Sequence, residues 1–405
     1  MSVLLGLVGA SLVAWIGLII GRGFFWRPWP ILKPAEPTAS SRGCSVAAVI
    51  PARNEAEILP QALPTVLSQD YSGPFRVVLV DDRSEDDTRK TAQSIAGRSD
   101  AEEGLVVVQG KPLPGGWSGK VWAMQQGVAA VVADSTDARS PRGVPDYFWF
   151  TDADIAHAPW VLRALIERAE AERLDLVSTM ATLRVETAWD RLLIPAFVYF
   201  FAKLYPFRFV ADPKRRAAGA AGGCILVRRQ MLDAAGGLSA IGSALIDDCA
   251  LGRLVKDAGG RLWLGFSQGV RSLRGYGSLS SVWQMVTRSA YTQLGHSSLK
   301  LGATVLGMLF LYALAPAACI GGAVATVFGL PEAAPVAVLG GVTWGLMAGS
   351  FVPMLRYLAA GWWVAPLLPV AGVLYVAMTI SSAWQHAKGK GGSWKGRTYS
   401  GSDDA

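Results

Sequence analysis

Apolar residues are distributed along this chain in three distinct ways. Val3–Ile20 is almost wholly apolar and carries no charge, as expected of a helix just long enough to cross a bilayer. From Ser45 onward, short apolar runs alternate with helix-like stretches, and after Lys300 long apolar stretches return. This pattern predicts one soluble domain between membrane segments.

The soluble part alternates between predicted strands and predicted helices. The strands are short apolar runs that end in polar or turn residues: Ser45–Pro51, Phe75–Asp81, Leu105–Gln109 and Tyr147–Thr151. Helix-like stretches lie between them: Ala56–Ser68, Asp87–Gly97 and Val121–Ala133. Such alternation is typical of βαβ units and predicts an α/β, Rossmann-like domain with a mostly parallel sheet flanked by helices. Ligands of such sheets bind at the carboxyl ends of the strands.

The first apolar segment is predicted to be a retained anchor. Basic and aromatic residues follow it, as is typical of the cytoplasmic interface: Arg22, Phe24, Phe25, Trp26, Arg27, Trp29 and Lys33. No basic residue precedes the segment and no convincing cleavage site follows, which disfavours a signal peptide. The N-terminus is therefore expected outside. Ile31–Arg42, rich in Pro, Ala and Ser, is a predicted linker.

The C-terminal region contains three further candidate spans, Leu301–Leu330, Pro335–Leu355 and Trp362–Trp384. Four spans in all would place both termini outside, and the basic tail would then violate the positive-inside tendency. Either one stretch is re-entrant or interfacial, with the proline-containing last stretch the main suspect, or the tail departs from the tendency. The predicted division is an anchor over 1–22, a linker or interfacial segment over 23–44, a soluble domain over 45–298, membrane helices over 299–385 and a polar tail over 386–405.

Composition agrees with this division and limits the partners. Apolar residues make up 51% of the chain and charged residues only 17%, which favours membrane segments. The net charge of +7 fits an anionic membrane surface or a nucleotide diphosphate, and no nucleic-acid-binding motif is present, so nucleic acid is not an expected partner. The four cysteines form no CxxC pair and the three histidines are far apart, which argues against a zinc site.

Polar side chains follow three of the predicted strands, in Pro51–Glu55, Asp81–Asp87 and Asp152–Asp154. One acidic strand end is usually a turn or a helix cap, but three at one edge indicate a site. Residues two apart in an extended segment point the same way, so Asp152 and Asp154 could face one Mg²⁺ or Mn²⁺ ion. Such an ion could neutralise a leaving diphosphate.

Two further motifs leave alternatives open. The glycine-rich turn Gly115–Lys120 could offer backbone donors and a lysine to phosphate, although a tight turn with a solvated lysine fits equally well. Asp247 or Asp248 could act as a general base for a hydroxyl nucleophile. On spacing alone, however, helix capping explains this pair better, because it opens the helix-like run Cys249–Ala258.

The order of these motifs resembles that of family 2 glycosyltransferases over roughly Ser45–Leu294. The stretches that carry the resemblance are Pro51–Glu55, Val80–Thr88, Gly119–Lys120, Asp152–Asp154, Gly222–Gly223 and Asp247–Asp248. The chain is most similar to the hopanoid-biosynthesis-associated branch, in Arg22–Arg27, Gly116–Ala123 and Ala290–Leu294, and more distantly to ceramide glucosyltransferases. The resemblance implies the A-type nucleotide-diphospho-sugar transferase fold.

The resemblance also implies roles for individual residues. Asp152 and Asp154 match the pair that binds metal and diphosphate. Asp248 matches the catalytic base, in a Glu-Asp motif that here is Asp-Asp, so that Asp247 is a second candidate. The residues implied in nucleotide-sugar binding are Pro51, Ala52, Asn54, Glu55, Asp81, Asp82, Lys120, Asp152, Gly222, Gly223 and Arg288.

A departure from the family pattern favours transfer of one sugar over processive polymerisation. The Gln-x-x-Arg-Trp motif that processive polymerases keep is absent, and Arg288 and Tyr291 stand as its partial substitutes. Its absence, with so few spans, points to transfer of a single sugar. The implied donor is a nucleotide-diphospho-sugar, in the first place a UDP-sugar, and the implied acceptor is a lipid such as a hopanoid. The implied location is the inner membrane, multi-pass, with the catalytic domain cytoplasmic.

The aromatic stretch Leu192–Val210 is predicted to be either an interfacial helix, which would suit a lipid acceptor, or an ordinary buried helix. One rival function is a polyprenyl-phosphate sugar synthase, with a basic acceptor pocket built from Arg215, Arg216, Arg228 and Arg229. A second is a non-catalytic nucleotide-sugar-binding membrane protein. A transporter is disfavoured because the C-terminal spans contain almost no charged residue.

Overall fold

The computed structural model describes residues 2–36, 38, 43–97, 104–136, 143–389, 391, 393–394 and 397–398. Parts of the predicted linker and of the polar tail therefore lie outside the described residues. The strands are β1 (Val46–Ala52), β2 (Phe75–Asp81), β3 (Leu105–Gln109), β4 (Tyr147–Phe150), β5 (Ile155–His157), β6 (Leu176–Thr182), β7 (Ile225–Arg228), β8 (Leu262–Ser272), β9 (Ser393–Trp394) and β10 (Arg397–Thr398).

The helices alternate with these strands in the first half of the chain and dominate the second half. They are α1 (Ser2–Gly21), α2 (Leu59–Leu67), α3 (Thr88–Ala96), α4 (Gly119–Thr136), α5 (Val161–Ala171), α6 (Ala188–Leu204), α7 (Phe207–Ala211), α8 (Arg229–Ala234), α9 (Asp247–Asp257), α10 (Leu279–Thr287), α11 (Ala290–Gln293), α12 (Ser298–Met308), α13 (Leu314–Val327), α14 (Ala333–Tyr357) and α15 (Leu368–Ala387). A π-helical segment, Leu309–Ala313, joins α12 to α13, and 3₁₀ segments cover Leu238–Ile241 and Trp362–Leu367.

The core of the soluble domain is an eight-stranded mixed sheet with the order β3-β2-β1-β4-β7-β6-β8-β5. β1, β2, β3 and β4 run parallel, and β7 is antiparallel to both of its neighbours, β4 and β6. Every residue of β1 is buried, which explains why its sequence is one continuous apolar run. The predicted α/β Rossmann-like fold is confirmed, and the four predicted strands are β1 to β4.

The parallel strands bring the predicted polar segments to one edge of the sheet. In the register of β1 and β2, Ala52 lies opposite Asp81, and β4 ends beside β1 on the other side. The segments that follow β1, β2 and β4 therefore leave the sheet together, as expected for parallel strands. Helix α4 packs against β1 and β2, which places its first residues at the same edge.

Among the described residues, five apolar helical segments are long enough to cross a membrane by length and composition: Ser2–Gly21, Ala188–Ala211, Ser298–Val327, Ala333–Tyr357 and Trp362–Ala387. The composition and length of these segments therefore favour association of the protein with a membrane. The second segment connects β6 to β7, and these strands pair directly, with Val177 opposite Leu226. Both of its ends must lie on the same side of a membrane, so Ala188–Ala211 does not cross as a single span.

The last apolar segment, Trp362–Ala387, is flanked by a contact with β8 and ends at a contact with α10 and α11. Just before it, Tyr357 packs edge-on against Phe266 of β8, with ring centroids 5.2 Å apart. Near its end, the Ser382 hydroxyl donates to the carbonyl oxygen of Thr287 at 2.6 Å and accepts from the amide of Tyr291 at 3.0 Å. Both contacts are made with elements that precede the apolar segment Ser298–Val327 in the chain.

The remaining apolar helices α1, α13 and α14 pack against one another along their length. The Ser2 hydroxyl donates to a Glu332 carboxylate oxygen at 3.2 Å, so the start of α1 lies at the α13–α14 connection. At the other end of α1, the Arg22 guanidinium donates to the Lys203 carbonyl oxygen at 3.0 Å, next to the soluble domain. Small residues such as Gly340 at the α13–α14 contact allow the two backbones to approach closely.

We expect Gly340→Ala to lower the thermal unfolding temperature of the protein in detergent. A Cβ at position 340 would lie 2.6 Å from the Cys319 amide nitrogen, so α13 and α14 must separate, at a cost of about 1–3 kcal/mol. Gly345→Ala on the same helix is the matched control: a Cβ there meets nothing within 4 Å, and alanine favours the helix. Equal unfolding temperatures for the two variants would contradict the packing described.

Candidate active site

The loops that follow β1 and β2 are fastened to each other at the edge of the sheet. Asn54 has a left-handed backbone (φ 53°), a conformation that Asn adopts more readily than most residues. Its amide donates to the Ser84 hydroxyl at 3.0 Å, and its side-chain oxygen accepts from the Glu85 amide at 2.9 Å. The Asp81 carboxylate accepts from the Ser84 amide at 3.2 Å. These contacts fix the predicted nucleotide-binding segments before any ligand arrives.

Two other residues that were predicted to bind the nucleotide-sugar are buried in the same region. Asp82 is wholly buried, and its amide donates to the Ala52 carbonyl oxygen at 2.8 Å. Pro51, the residue before Ala52, lines a small recess together with Lys120, Met124, Phe150, Thr151, Asp152, Gly222, Ile225 and Asp247. The recess therefore joins the end of β1 to the acidic residues that follow β4 and open α9.

Lys120 is the centre of the charged cluster. Its ammonium lies 2.7 Å from Asp152 Oδ1 and 3.0 Å from Asp247 Oδ2, and only 17% of the lysine side chain is exposed. Burial alone would disfavour the charge, but the carboxylates of Asp152 and Asp247 outweigh it and raise the pKa of Lys120. A solvated lysine in a tight turn is therefore excluded, and Lys120 is a charged bridge between two loops.

Asp248 lies beside this bridge and is held by backbone amides. One carboxylate oxygen accepts from the Gly222 amide at 2.9 Å, and the other accepts from the Cys249 amide at 2.7 Å. A Cβ at Gly222 would lie only 3.1 Å from the Lys120 ammonium and 3.5 Å from Asp248, so glycine lets the backbone approach these charges. Gly223 supports the loop by accepting from the Thr151 hydroxyl at 3.0 Å.

The electrostatic environment suits Asp248 to accept a proton. Burial, reinforced by the neighbouring Asp247 carboxylate, raises the pKa of Asp248 to about 6, while Lys120 and the two amides act in the opposite direction. A carboxylate with a raised pKa is a stronger base near neutral pH. Asp247 is ion-paired with Lys120, so its carboxylate is the less available of the two.

The two carboxylates of the Asp152–Asp154 pair contact different cations. Asp152 bonds to Lys120, whereas Asp154 Oδ2 lies 3.3 Å from Arg274 Nε. The Arg274 guanidinium also pairs with the buried carboxylate of Glu55. Arg274 thus links the loop after β1 to the loop after β4.

Arg274 has no motif around it, and sequence reasoning missed it for that reason. It follows the end of β8, whose Ser272 pairs with Ile155 of the short strand β5. The Leu273 amide also donates to the Asp154 carbonyl oxygen at 2.9 Å. Only this antiparallel pairing brings the arginine, which is remote in sequence, to the acidic edge.

The acidic residues fit a divalent cation whose coordination a diphosphate would complete. No group of three or more His, Cys, Asp or Glu suited to hold a metal occurs in the described part of the chain. A hard cation can be held by one or two carboxylates together with substrate phosphates, so Asp152 and Asp154 suffice in number. Burial raises the pKa of Asp152 to about 6, against the opposing effect of Lys120, and the charge of Asp154 adds to the increase. A cation would relieve this repulsion.

Arg288 faces the same region from the end of α10. It is exposed, and within the described residues its side chain makes no hydrogen bond or ion pair. Burial raises the pKa of the Tyr276 hydroxyl, Arg288 opposes this, and Asp154 and Arg274 act on the same hydroxyl. Arg288 and Asp154 therefore both lie close enough to the Tyr276 hydroxyl to influence its pKa. Tyr291, its companion in the sequence prediction, instead packs against α15.

The basic residues expected in a phosphate-acceptor pocket are largely elsewhere. Arg228 pairs with Tyr147 at the start of β4, because β7 runs antiparallel to β4 and ends at the opposite edge of the sheet. Arg228 bonds to Glu170 at 2.8 Å, and Arg229 bonds to Asp233 at 2.8 Å. These two arginines therefore do not contribute to this site, and that part of the rival prediction is wrong.

Comparison with known proteins assigns the domain. Residues 47–236 match the model of the family described as glycosyl transferase family 2. A solved mannosyltransferase from Pyrobaculum calidifontis, in complex with GDP-Man and Mn²⁺, is similar in structure at 16% identity, over 94% of this chain and 99% of that chain, with a TM-score of 0.52. Glucosyl-3-phosphoglycerate synthase from Mycobacterium tuberculosis, in complex with Mn²⁺ and UDP-glucose, is similar at 19% identity, over 66% and 85%, with a TM-score of 0.41.

No curated protein matches this sequence significantly. The mannosyltransferase shows that the fold is shared, including the apolar helices that lie outside the family match. The family match covers the three acidic strand ends, Lys120 and the Gly222–Gly223 loop. Residues 47–236 are therefore a family 2 glycosyltransferase domain, and the protein is a glycosyltransferase.

Proposed function

We propose that this protein is a membrane-bound inverting glycosyltransferase that transfers a single sugar from a nucleotide-diphospho-sugar to a hydroxyl group of a lipid. The observation that carries the proposal is the ion-paired cluster of Lys120, Asp152 and Asp247, with Asp248 beside it, at the carboxyl edge of the parallel strands. Ligands of parallel sheets bind at this edge. The Mn²⁺ and GDP-Man of the similar mannosyltransferase support the donor class.

The donor would lie along the loops after β1 and β2. Ala52, Glu55 and Asp82 would bind its base and ribose, as the family resemblance implies. Arg274 orients the Glu55 carboxylate, so this part of the site is organised in advance. The exposed guanidinium of Arg288 is available to the diphosphate. A divalent cation, Mg²⁺ or Mn²⁺, held by Asp152 and Asp154 would supply electrostatic stabilisation of the leaving diphosphate.

Asp248 would act as the general base. Its carboxylate removes the proton of the acceptor hydroxyl, and that oxygen attacks the anomeric carbon opposite the leaving group, so the configuration inverts. The raised pKa of Asp248 favours this proton transfer near neutral pH. Lys120 is ion-paired with Asp247 and Asp152, which leaves Asp248 as the carboxylate that is not ion-paired with the lysine.

The acceptor is inferred from what surrounds the base. Tyr205, directly after α6, lies beside Cys249, the residue next to Asp248, and donates to the Gln293 side-chain oxygen at 2.8 Å. Helix α6 in turn packs against the apolar helices α14 and α15. A base so close to the membrane helices suits a hydroxyl on a lipid, and the family resemblance points to a hopanoid or a related lipid.

We also propose a membrane topology with three crossings, by α1, by α12 with α13, and by α14. Trp362–Ala387 would then be re-entrant, because Tyr357, just before it, packs on β8, and Ser382, near its end, bonds to Thr287 of α10, which lies between β8 and the first C-terminal apolar segment. The N-terminus would lie outside, and the catalytic domain and C-terminal tail would lie in the cytoplasm, at the inner membrane. The basic tail would thereby agree with the positive-inside tendency.

Replacing the proposed base tests the mechanism most simply. We expect Asp248→Asn to reduce sugar transfer by roughly 10²–10⁴-fold, because an amide cannot remove the acceptor proton. The measurement is release of nucleoside diphosphate with a panel of UDP-sugars and lipid extract, together with mass spectrometry of the lipids.

The matched control for that change is Asp257→Asn at the far end of the same helix, where the carboxylate pairs with Arg253. It should retain normal turnover. Near-normal turnover of a folded Asp248→Asn protein would instead favour the polyprenyl-phosphate rival, because a phosphate nucleophile needs no base.

The proposed cation site predicts a metal requirement. Chelation should reduce donor turnover to background, and Mn²⁺ or Mg²⁺ should restore it. Asp154→Asn should raise the metal concentration needed for half-maximal activity by roughly tenfold or more, because one of two protein carboxylates is lost. Full activity in excess chelator, for the wild-type protein, would rule out the metal role.

The proposed topology predicts the side of the C-terminus. A green fluorescent protein fused after the tail should be fluorescent, and an alkaline phosphatase at the same position should be inactive, because the tail would be cytoplasmic. A phosphatase inserted in the α13–α14 connection is the internal control and should be active. An active phosphatase at the C-terminus would show that Trp362–Ala387 crosses the membrane.

A further inference from the structure

A cleft lined by arginine and aromatic residues lies where α1 meets the catalytic domain. Phe24, Arg27, Trp29 and Arg208 line it, and it encloses about 320 Å³. Both arginines are exposed, and Phe24 and Trp29 are 37% and 58% exposed. We call this feature the interfacial cleft. None of its residues takes part in the proposed sugar transfer.

In the part of the chain that the structure describes, the interfacial cleft carries positive charge that no carboxylate pairs with. The Arg27 and Arg208 guanidinium carbons lie 5.6 and 5.2 Å from the centroid of the Phe24 ring, so both flank the same ring. Within the described residues, neither side chain makes a hydrogen bond or an ion pair. The carboxylate of the adjoining segment, Asp212, is paired with Arg215 at 3.5 Å.

Other groups packed against the cleft do not neutralise it. Arg22 adds a further positive charge, and its donors are used by the carbonyl oxygens of Lys203 and Leu204. The exposed N–H donors of Arg27 and Arg208 therefore remain available to an anionic ligand. Arginine is well suited to such an anion, because its planar donors match the oxygens of a phosphate group.

The walls of the interfacial cleft are fixed relative to each other. The Trp26 indole nitrogen donates to the Ile19 carbonyl oxygen at 3.0 Å, which folds the chain back onto α1. Gly23 packs against Pro206 and Phe209 around α7, the helix that carries Arg208. Beyond Trp29, the Leu32 amide donates to the Phe266 carbonyl oxygen of β8 at 2.8 Å. The cleft is thus a built feature of the junction between anchor and sheet.

The position of the interfacial cleft indicates which kind of ligand it binds. The cleft begins three residues after the end of α1, at the level where an apolar span gives way to polar surroundings. Exposed Trp and Phe beside arginine are typical of the headgroup level of a membrane, where aromatic rings and cations meet phosphate. We propose that the interfacial cleft binds the phosphate headgroup of an anionic membrane lipid, with Arg27 and Arg208 on either side of the phosphate.

Native mass spectrometry of the full-length protein in detergent tests this, with phosphatidylglycerol and phosphatidylcholine as competing lipids. The wild-type protein should retain phosphatidylglycerol preferentially. In the double variant Arg27→Gln/Arg208→Gln, the ratio of bound phosphatidylglycerol to phosphatidylcholine should fall by on the order of tenfold, because each basic residue near an anionic headgroup contributes appreciably to binding. Lys90→Gln/Arg253→Gln removes the same net charge from surface ion pairs of the soluble domain and should keep the preference.

Three outcomes would overturn the proposal. One is an unchanged lipid preference in the double glutamine variant. Another is an equal loss in the control pair, since this would reflect net charge alone. The third is displacement of the lipid by inorganic phosphate at a similar concentration, which would assign the cleft to a soluble anion. If the glutamine variant is unstable, Arg27→Lys/Arg208→Lys serves instead. This variant should keep a weaker preference for phosphatidylglycerol over phosphatidylcholine. A reversed preference, for phosphatidylcholine, would contradict the proposal.

Discussion

The ion pairs of the Lys120 ammonium with Asp152 and Asp247 are the interaction on which the catalytic edge depends. They join the first turn of α4, the loop after β4 and the start of α9, which are distant in the sequence. Removing one member of a fully buried pair costs ~3–5 kcal/mol, and less here because Asp152 is 32% exposed. The cluster therefore holds the acidic loops close together before a donor binds, and it leaves Asp248 beside them with its carboxylate held by the amides of Gly222 and Cys249.

Much of this arrangement could be predicted from the sequence because parallel strands deliver their carboxyl ends to one edge. The runs that became β1, β2 and β4 are continuous and buried almost throughout, and the polar residues that follow them were identified for that reason. β5 and β7 are short and antiparallel, and neither has a distinctive pattern. Arg274 could not be predicted, because its place beside Glu55 and Asp154 depends on the pairing of β5 with β8. The partners of Lys120 likewise follow from tertiary packing.

Hydropathy identified the apolar segments, but not whether each of them crosses the membrane. Five segments of the described chain have the length and composition of a span. The pairing of β6 with β7 shows that Ala188–Ala211 does not cross as a single span, and the contacts of Tyr357 and Ser382 support the proposal that Trp362–Ala387 is re-entrant. Composition reports whether a segment tolerates lipid, whereas the side on which each end lies is set by contacts with the folded domain. The last segment, suspected from its prolines, is the one whose contacts agree with re-entry.

The most direct test of this account is an experimental structure with UDP and Mn²⁺ bound, with the metal located by its anomalous scattering. The account predicts one Mn²⁺ peak between the diphosphate and the carboxylates of Asp152 and Asp154, with the base against the loop after β1 and Asp248 facing the sugar position. A metal or nucleotide bound away from this edge, with Lys120 and its carboxylates unaffected, would contradict it.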